Sequence, residues 1–246
     1  MTLRITVPGA DFSGVGIGRY LKLTTDRADL VGEYIFGKSK NASIFNGANN
    51  ALPLIETGAP VYDDASVTLS TSNWFDTLVS DAQELTLMVI ADMNVSGIHF
   101  IGNWGGVPSA NQLTMYKNGS TVALQTPRAA GSPPSTITSS TGLSGIGPHF
   151  RGLACRTTGL VDFTSKVDQY RGGLHMGGAS FVNAGETRLV VPSPLISIGS
   201  ARGSSIFPGP VKVAAALIWH RALSDADLLA AYQEARGVLA GRGIDC

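Results

Sequence analysis

Charge is scarce in this sequence, and neither sign prevails. Only 15% of the 246 residues are charged, 18 basic against 18 acidic, so the formal net charge is zero. An average globular chain carries roughly 25%. No basic face is available to neutralise a row of phosphates, which argues against nucleic acid as a partner. The same balance argues against a polybasic membrane-surface binder. Long apolar runs are missing as well. Leu85–Ala91 falls far short of the ~20 residues of a membrane helix, so no membrane insertion is expected. Cysteine is nearly absent. Cys155 and Cys246 cannot build a disulfide framework. Both are expected to be free thiols, Cys155 in a core strand and Cys246 at a mobile chain end. The opening Met1–Pro8 lacks the apolar stretch of a signal peptide. The expectation is synthesis in a cytoplasm, with any extracellular role reached inside a particle released by lysis.

What the chain does have is turn chemistry and short strands. It holds 30 glycines and 12 prolines. Few charges, many glycines and abundant Ser and Thr suit an all-β chain. Residues 1–30 are the exception. Pro8–Gly18 scatters single apolar residues among glycines, the pattern of an extended arm and not of a packed element. Asp11, Phe12 and Arg19 are its candidate docking residues for assembly.

Strand signals become regular from residue 60. Val67–Ser70 alternates apolar and polar, whereas Leu85–Ala91 is apolar nearly throughout, as in a central strand. Ile98–Ile101 and Gln112–Tyr116 follow, and Asn118-Gly119 then sits between two strand-like runs, a strong hairpin cue. Residues 127–147, rich in Pro, Ser, Thr and Gly, are expected to form a long exposed loop. Strands resume at His149–Cys155, Arg188–Val191, Leu195–Ile198 and Val211–Trp219. Ser224 with Asp227 three residues later marks a helix start. Leu228, Ala231, Tyr232, Ala235 and Leu239 then give one apolar face, and Gly241 and Gly243 mark the end. The pattern predicts a single β-sandwich over 31–246 that ends in a helix over 224–240.

Most chemical motifs fail on context. Gly32–Ser39 matches the phosphate-loop pattern letter for letter. That mechanism needs a buried strand before it and a helix after it, and the flanks supply neither. Gly14–Arg19 misses the dinucleotide fingerprint, because Arg19 stands where glycine belongs. Glycoside cleavage needs two carboxylates about 5–10 Å apart. None of Glu33, Glu56, Glu84, Glu186 and Glu234 has an acid two residues away, and Asp225 with Asp227 suits the helix dipole. His99, His149, His175 and His220 show no zinc spacing. No cofactor is implied. A calcium ion held by separated loops, using Asp92 or Asn94, stays open without a motif.

Sugar recognition needs an aromatic face beside hydrogen-bonding partners. Asn103-Trp104-Gly105-Gly106 followed by Tyr116 is the best local candidate. The alternative is that Trp104 covers a sheet end as part of the core. Tyr170-Arg171-Gly172-Gly173 is a second, weaker loop candidate.

The C-terminal third resembles a known family. Ile196–Ser200, Phe207–Pro210 and Val211 running into Arg221-Ala222-Leu223-Ser224-Asp225-Ala226-Asp227, with Tyr232 beyond, resemble the end of concanavalin A-like, laminin-G-like domains. Phe45-Asn46-Gly47 looks like an early turn of that family. The resemblance implies a two-sheet antiparallel jelly roll with the helix packed outside. Gly9–Ser13 and Leu239–Ile244 are also similar to lectin-like proteins of tailed bacteriophages. That likeness implies a non-enzymatic virion protein of a tail fibre or baseplate. It would bind host surface polysaccharide or scaffold other tail proteins, as a homo-oligomer such as a trimer. Two rival readings stay open: a polysaccharide hydrolase or lyase on the same fold, and a purely structural virion decoration.

Overall fold

The computed structural model describes residues 27–94, 96–105, 112–129, 135–142, 150–199, 202 and 206–246. Asp11, Phe12 and Arg19, and the expected arm up to residue 26, lie outside the described residues. The first elements among the described residues are strand β1 (Leu30–Ile35), the one-turn helix α1 (Lys40–Ser43), β2 (Ile55–Thr57), β3 (Val61–Tyr62), β4 (Val67–Leu69) and β5 (Trp74–Asp76). Next come β6 (Leu85–Asp92), β7 (Ile98–Gly102), β8 (Thr114–Asn118), β9 (Thr121–Arg128) and β10 (Ser135–Gly142). The last elements are β11 (Phe150–Thr158), β12 (Thr164–Arg171), β13 (Leu174–Val182), β14 (Ser197–Ile198), β15 (Val211–Trp219) and helix α2 (Asp225–Ala240).

The strands of the described residues form two antiparallel sheets. One has eight strands in the order β13-β12-β11-β6-β15-β4-β3, with β1 also paired to β15. The other has seven, in the order β10-β9-β8-β7-β14-β5-β2. The fold is thus the all-β, two-sheet sandwich with a C-terminal helix that the sequence pattern implied. Leu87, Val89, Leu153, Phe100, Met115 and Leu124 fill the space between the sheets. Phe36 stacks on Phe75 there, ring centroids 5.5 Å apart.

Strand β6 is apolar from Leu87 to Ala91 because both of its faces are covered. Leu87, Val89 and Ala91 face the other sheet, while Met88 and Ile90 join an outer cluster with Leu228, Ala231 and Tyr232 of α2. Strand β15 divides its residues in the same way. Helix α2 starts as expected, with the Ser224 hydroxyl accepting the Asp227 N–H at 3.1 Å. All five residues of its predicted apolar face are buried. Gly152 of β11 lets the helix dock closely: a Cβ there would lie 2.6 Å from the Tyr232 ring.

The Phe45-Asn46-Gly47 turn is organised by one side chain. The Asn46 Oδ1 accepts the N–H groups of Glu33, Ala48 and Asn49. Its Nδ2 donates to Val31 O, Leu52 O and the Tyr34 hydroxyl. The hairpin at Asn118-Gly119 also forms: Asn118 pairs with Thr121, and Gly119 takes φ +57°. Positive φ at the first loop residue fits a turn that follows strand twist. Gly32–Ser39 is no phosphate loop. Its strand runs antiparallel to β15, and only the four-residue α1 follows, capped by the Ser39 side chain.

Several expectations need correction. Residues 127–147 are not one loop, since β9 reaches Arg128 and β10 pairs with it along its whole length. Ser135–Gly142 reads S-T-I-T-S-S-T-G, whose hydroxyl residues tolerate an edge strand that needs no apolar alternation. Strands β12 and β13 were invisible because β12 is mostly polar, while the apolar residues of β13 are interrupted by His175, Gly177, Gly178 and Ser180 and lie largely exposed. Arg188–Val191 is not a strand. Arg188 turns inward to Asp81, both fully buried, and to the carbonyls of Ala82 and Gln83. Cys246 is not at a free end: it is 1% exposed, and its carbonyl accepts from Arg236.

Candidate functional site

Strand alternation places a set of aromatic and polar side chains on the outer face of the seven-stranded sheet. Ile98, Phe100 and Met115 point into the core. Their neighbours His99, Thr114 and Tyr116 therefore point outward, and His99 and Tyr116 are cross-strand partners. Trp104 follows the end of β7. Phe207, ahead of β15, lays its ring over them. Its centroid is 5.0 Å from Tyr116, 5.6 Å from Trp104 in an edge-on contact, and 6.2 Å from His99. The Gly209 N–H donates to Gly97 O at 3.0 Å and ties this segment to the start of β7.

Both ring nitrogens of His99, Trp104 Nε1, Thr114 Oγ1 and Gln112 Oε1 are buried and have no hydrogen-bond partner among the described residues. Buried polar groups in native proteins are nearly all paired, so these atoms are left for water or for another bound molecule. Burial, aided by the Arg202 charge, holds the His99 ring neutral by lowering its pKa to about 3. A neutral imidazole offers one donor and one acceptor. The indole N–H donates, the amide oxygen accepts and the hydroxyl does either. Together they match ligand hydroxyls, which also donate and accept. Tyr116 is the half-buried ring of the group, and Trp104 and Phe207 are 4% and 7% exposed.

The sequence candidates thus separate. Trp104 and Tyr116 come together, joined by Phe207. Asn103 braces the end of β7: its Nδ2 donates to Val191 O at 2.9 Å, and its Oδ1 accepts Leu113 N–H at 2.7 Å. Tyr170 and Arg171 end β12 in the other sheet. Tyr170 is 1% exposed, packed between Tyr232 and His175, so it presents no open face. The sequence reading missed His99, Thr114, Gln112 and Phe207. Thr114 shares the alternation of Tyr116, and that signal was available. Phe207 carries no local signal, because it arrives from a distant segment.

Other chemical candidates resolve into structure. Among the described residues no group of three or more His, Cys, Asp or Glu is placed to hold a metal ion. Asp92 accepts the Asn94 N–H within its own turn. Glu33, Glu56 and Glu186 are ion-paired with Arg27, Lys40 and Arg128. Cys155 and Cys246 are free thiols, both buried. Desolvation pushes the Cys155 pKa up and that of Cys246 to about 11. Neither thiol is a ready nucleophile at neutral pH. No described helix is long and apolar enough to cross a membrane.

No protein-family model matches this chain, and no curated protein matches it in sequence. Solved structures do match its fold. The binding domain of Paraclostridial Mosquitocidal Protein 1 superposes with TM-score 0.56 at 13% identity, over 82% of this chain and 51% of that one. The binding domain of botulinum neurotoxin DC, in complex with SialylT, gives 0.58 at 9% identity, over 83% and 51%. The CBM40 of Ruminococcus gnavus IT-sialidase, bound to α2,3-sialyllactose, gives 0.50 at 12% identity, over 72% and 97%. This chain spans about half the length of the toxin binding domains it matches. At such identities the likeness is one of fold, a two-sheet β-sandwich.

Proposed function

We propose that this chain is a carbohydrate-binding sandwich that attaches to host surface polysaccharide without cleaving it. One observation carries the reading. The rings of Trp104, Tyr116 and Phe207 gather on the same sheet face as the unpaired polar groups of His99, Thr114 and Gln112. An apolar ring face suits the C–H face of a pyranose, and unpaired donors and acceptors suit its hydroxyls. No charged side chain is among these six, which suits them to hydroxyl groups. The Phe207 ring packs on those of His99, Trp104 and Tyr116, so a ligand that reaches the His99 nitrogens displaces it. The structural neighbours named as binding domains and as a carbohydrate-binding module support the same use of the fold.

The carrier we infer is a bacteriophage virion, in a tail fibre or baseplate. It is supported by the likeness of Gly9–Ser13 and Leu239–Ile244 to phage lectin-like proteins, and the segment containing Asp11, Phe12 and Arg19 would dock the chain there. The test is binding of the labelled chain to candidate bacterial cells, with and without their surface polysaccharide and with and without calcium. Saturable binding that vanishes when the polysaccharide is stripped is expected. Tyr116→Ala should weaken it about tenfold or more while the fold is retained. A folded chain that binds no cell, or one that releases reducing ends from the polysaccharide, would sink the proposal.

A further inference from the structure

The two walls of the sandwich are built differently. On one wall the sheets end in β3 and β2, only two and three residues long. Glu56 lies within this wall, and Asp63 and Asp64 follow it directly. Short strands and nearby charge are the usual protection of a sheet edge. On the other wall the sheets end in β13, nine residues, and β10, eight residues, and the two strands lie against each other. Neither strand contains a Lys, Arg, Asp or Glu. Among the described residues each is paired on one side alone. Exposed apolar side chains collect here too. Leu174, Met176, Phe181 and Val182 are 38–69% exposed on β13, and Leu160 and Val161 join them from the turn before β12.

We propose that this wall is the contact surface for a second copy of this chain, with β13 pairing antiparallel to its counterpart about a two-fold axis. In such a contact each residue meets the same small set of residues on the other copy. Any charge near the axis would meet its own likeness and repel it. The charge-free strands remove that obstacle, which is what self-recognition demands and a charged partner does not. His175 is the one titratable side chain of the two strands, and it is held on its own sheet by Asp168 at 2.9 Å. The area suffices. A nine-residue strand runs about 30 Å, and two sheets about 10 Å apart give a wall roughly 20 Å wide. That is about 600 Å² per copy, or roughly 1,200 Å² in all, above the ~1,000 Å² of a specific interface.

The experiment is sedimentation equilibrium of the full 246-residue chain over a range of concentrations. The wild-type chain should reach the mass of a dimer. The double substitution Leu174→Lys with Val182→Lys puts two charges on the edge at sites 64% and 69% exposed. It should weaken self-association at least about tenfold, with an unchanged circular dichroism spectrum and melting temperature. Val61→Lys, equally exposed on the opposite wall, should change nothing. A wild-type monomer, a trimer, or a dimer that the two edge lysines leave intact overturns the proposal. So does a dimer lost only when residues 1–26 are deleted.

Discussion

Asn46 makes six hydrogen bonds from one side chain and holds β1, the turn after α1 and Leu52 in register. Removing it leaves several buried N–H and C=O groups without partners, each costing about 1–3 kcal/mol. Asn46→Ala should therefore lose about 3–5 kcal/mol in urea unfolding, at the upper end of single-residue effects. His99 makes the opposite kind of contribution, one that depends on pH. Its folded value of about 3 lies below the ordinary 6.5. Between those values the unfolded chain binds a proton that the folded chain does not. The contribution of neutral His99 is thus complete above pH 6.5 and is lost as pH falls toward 3. The slope is at most about 1.4 kcal/mol per pH unit. His99→Gln should remove that one-proton slope, read as the difference between the two proteins in urea unfolding across pH.

Helix α2 shows what local pattern can reveal about an element. Its cap, its apolar face and its limits were all readable, because a helix satisfies its hydrogen bonds within one continuous segment. What it packs on was not readable, since that depends on Gly152, distant in sequence. Gly152→Ala would press a methyl group into the Tyr232 ring. Such overpacking costs about 1–3 kcal/mol, and thermal denaturation should show the loss. Strands were readable only where burial shaped them. Strands β6 and β15 carry the composition of doubly covered strands. Strands β10, β12 and β13 sit toward one wall, where less apolar surface is buried, and their sequences look like loop. Arg188–Val191 erred the other way: its apolar letters suggested a strand, but the buried Arg188–Asp81 pair draws the segment out of the sheet.

At the scale of the whole molecule, a third of the candidate site was visible beforehand. Trp104 and Tyr116 stood out because a tryptophan near glycines and a nearby tyrosine are uncommon in a chain that is 7% aromatic. His99 and Phe207 became visible only once strand register and tertiary packing placed them beside those rings. Tyr170 was singled out on the same grounds and proved to be the floor under α2. Aromatic residues near glycine mark either a ligand platform or a close docking contact, and only the packing distinguishes the two. The charge-free wall is likewise a property of assembled strands. Neither β10 nor β13 is unusual alone; they form a surface because they end both sheets on the same side.

Strand β15 is bonded to β1, β4 and β6, three strands made long before it. During synthesis, a ribosome that has just completed β14 has made every other strand of the eight-stranded sheet, but not the one that joins its two halves. Until residues 211–219 emerge, β6 has β11 on one side and nothing on the other, with its apolar outer face bare because α2 comes later still. Until then the nascent chain exposes apolar surface of the kind on which chaperones and aggregation act, and a fragment ending before β15 lacks the strand that joins β6 to β1 and β4.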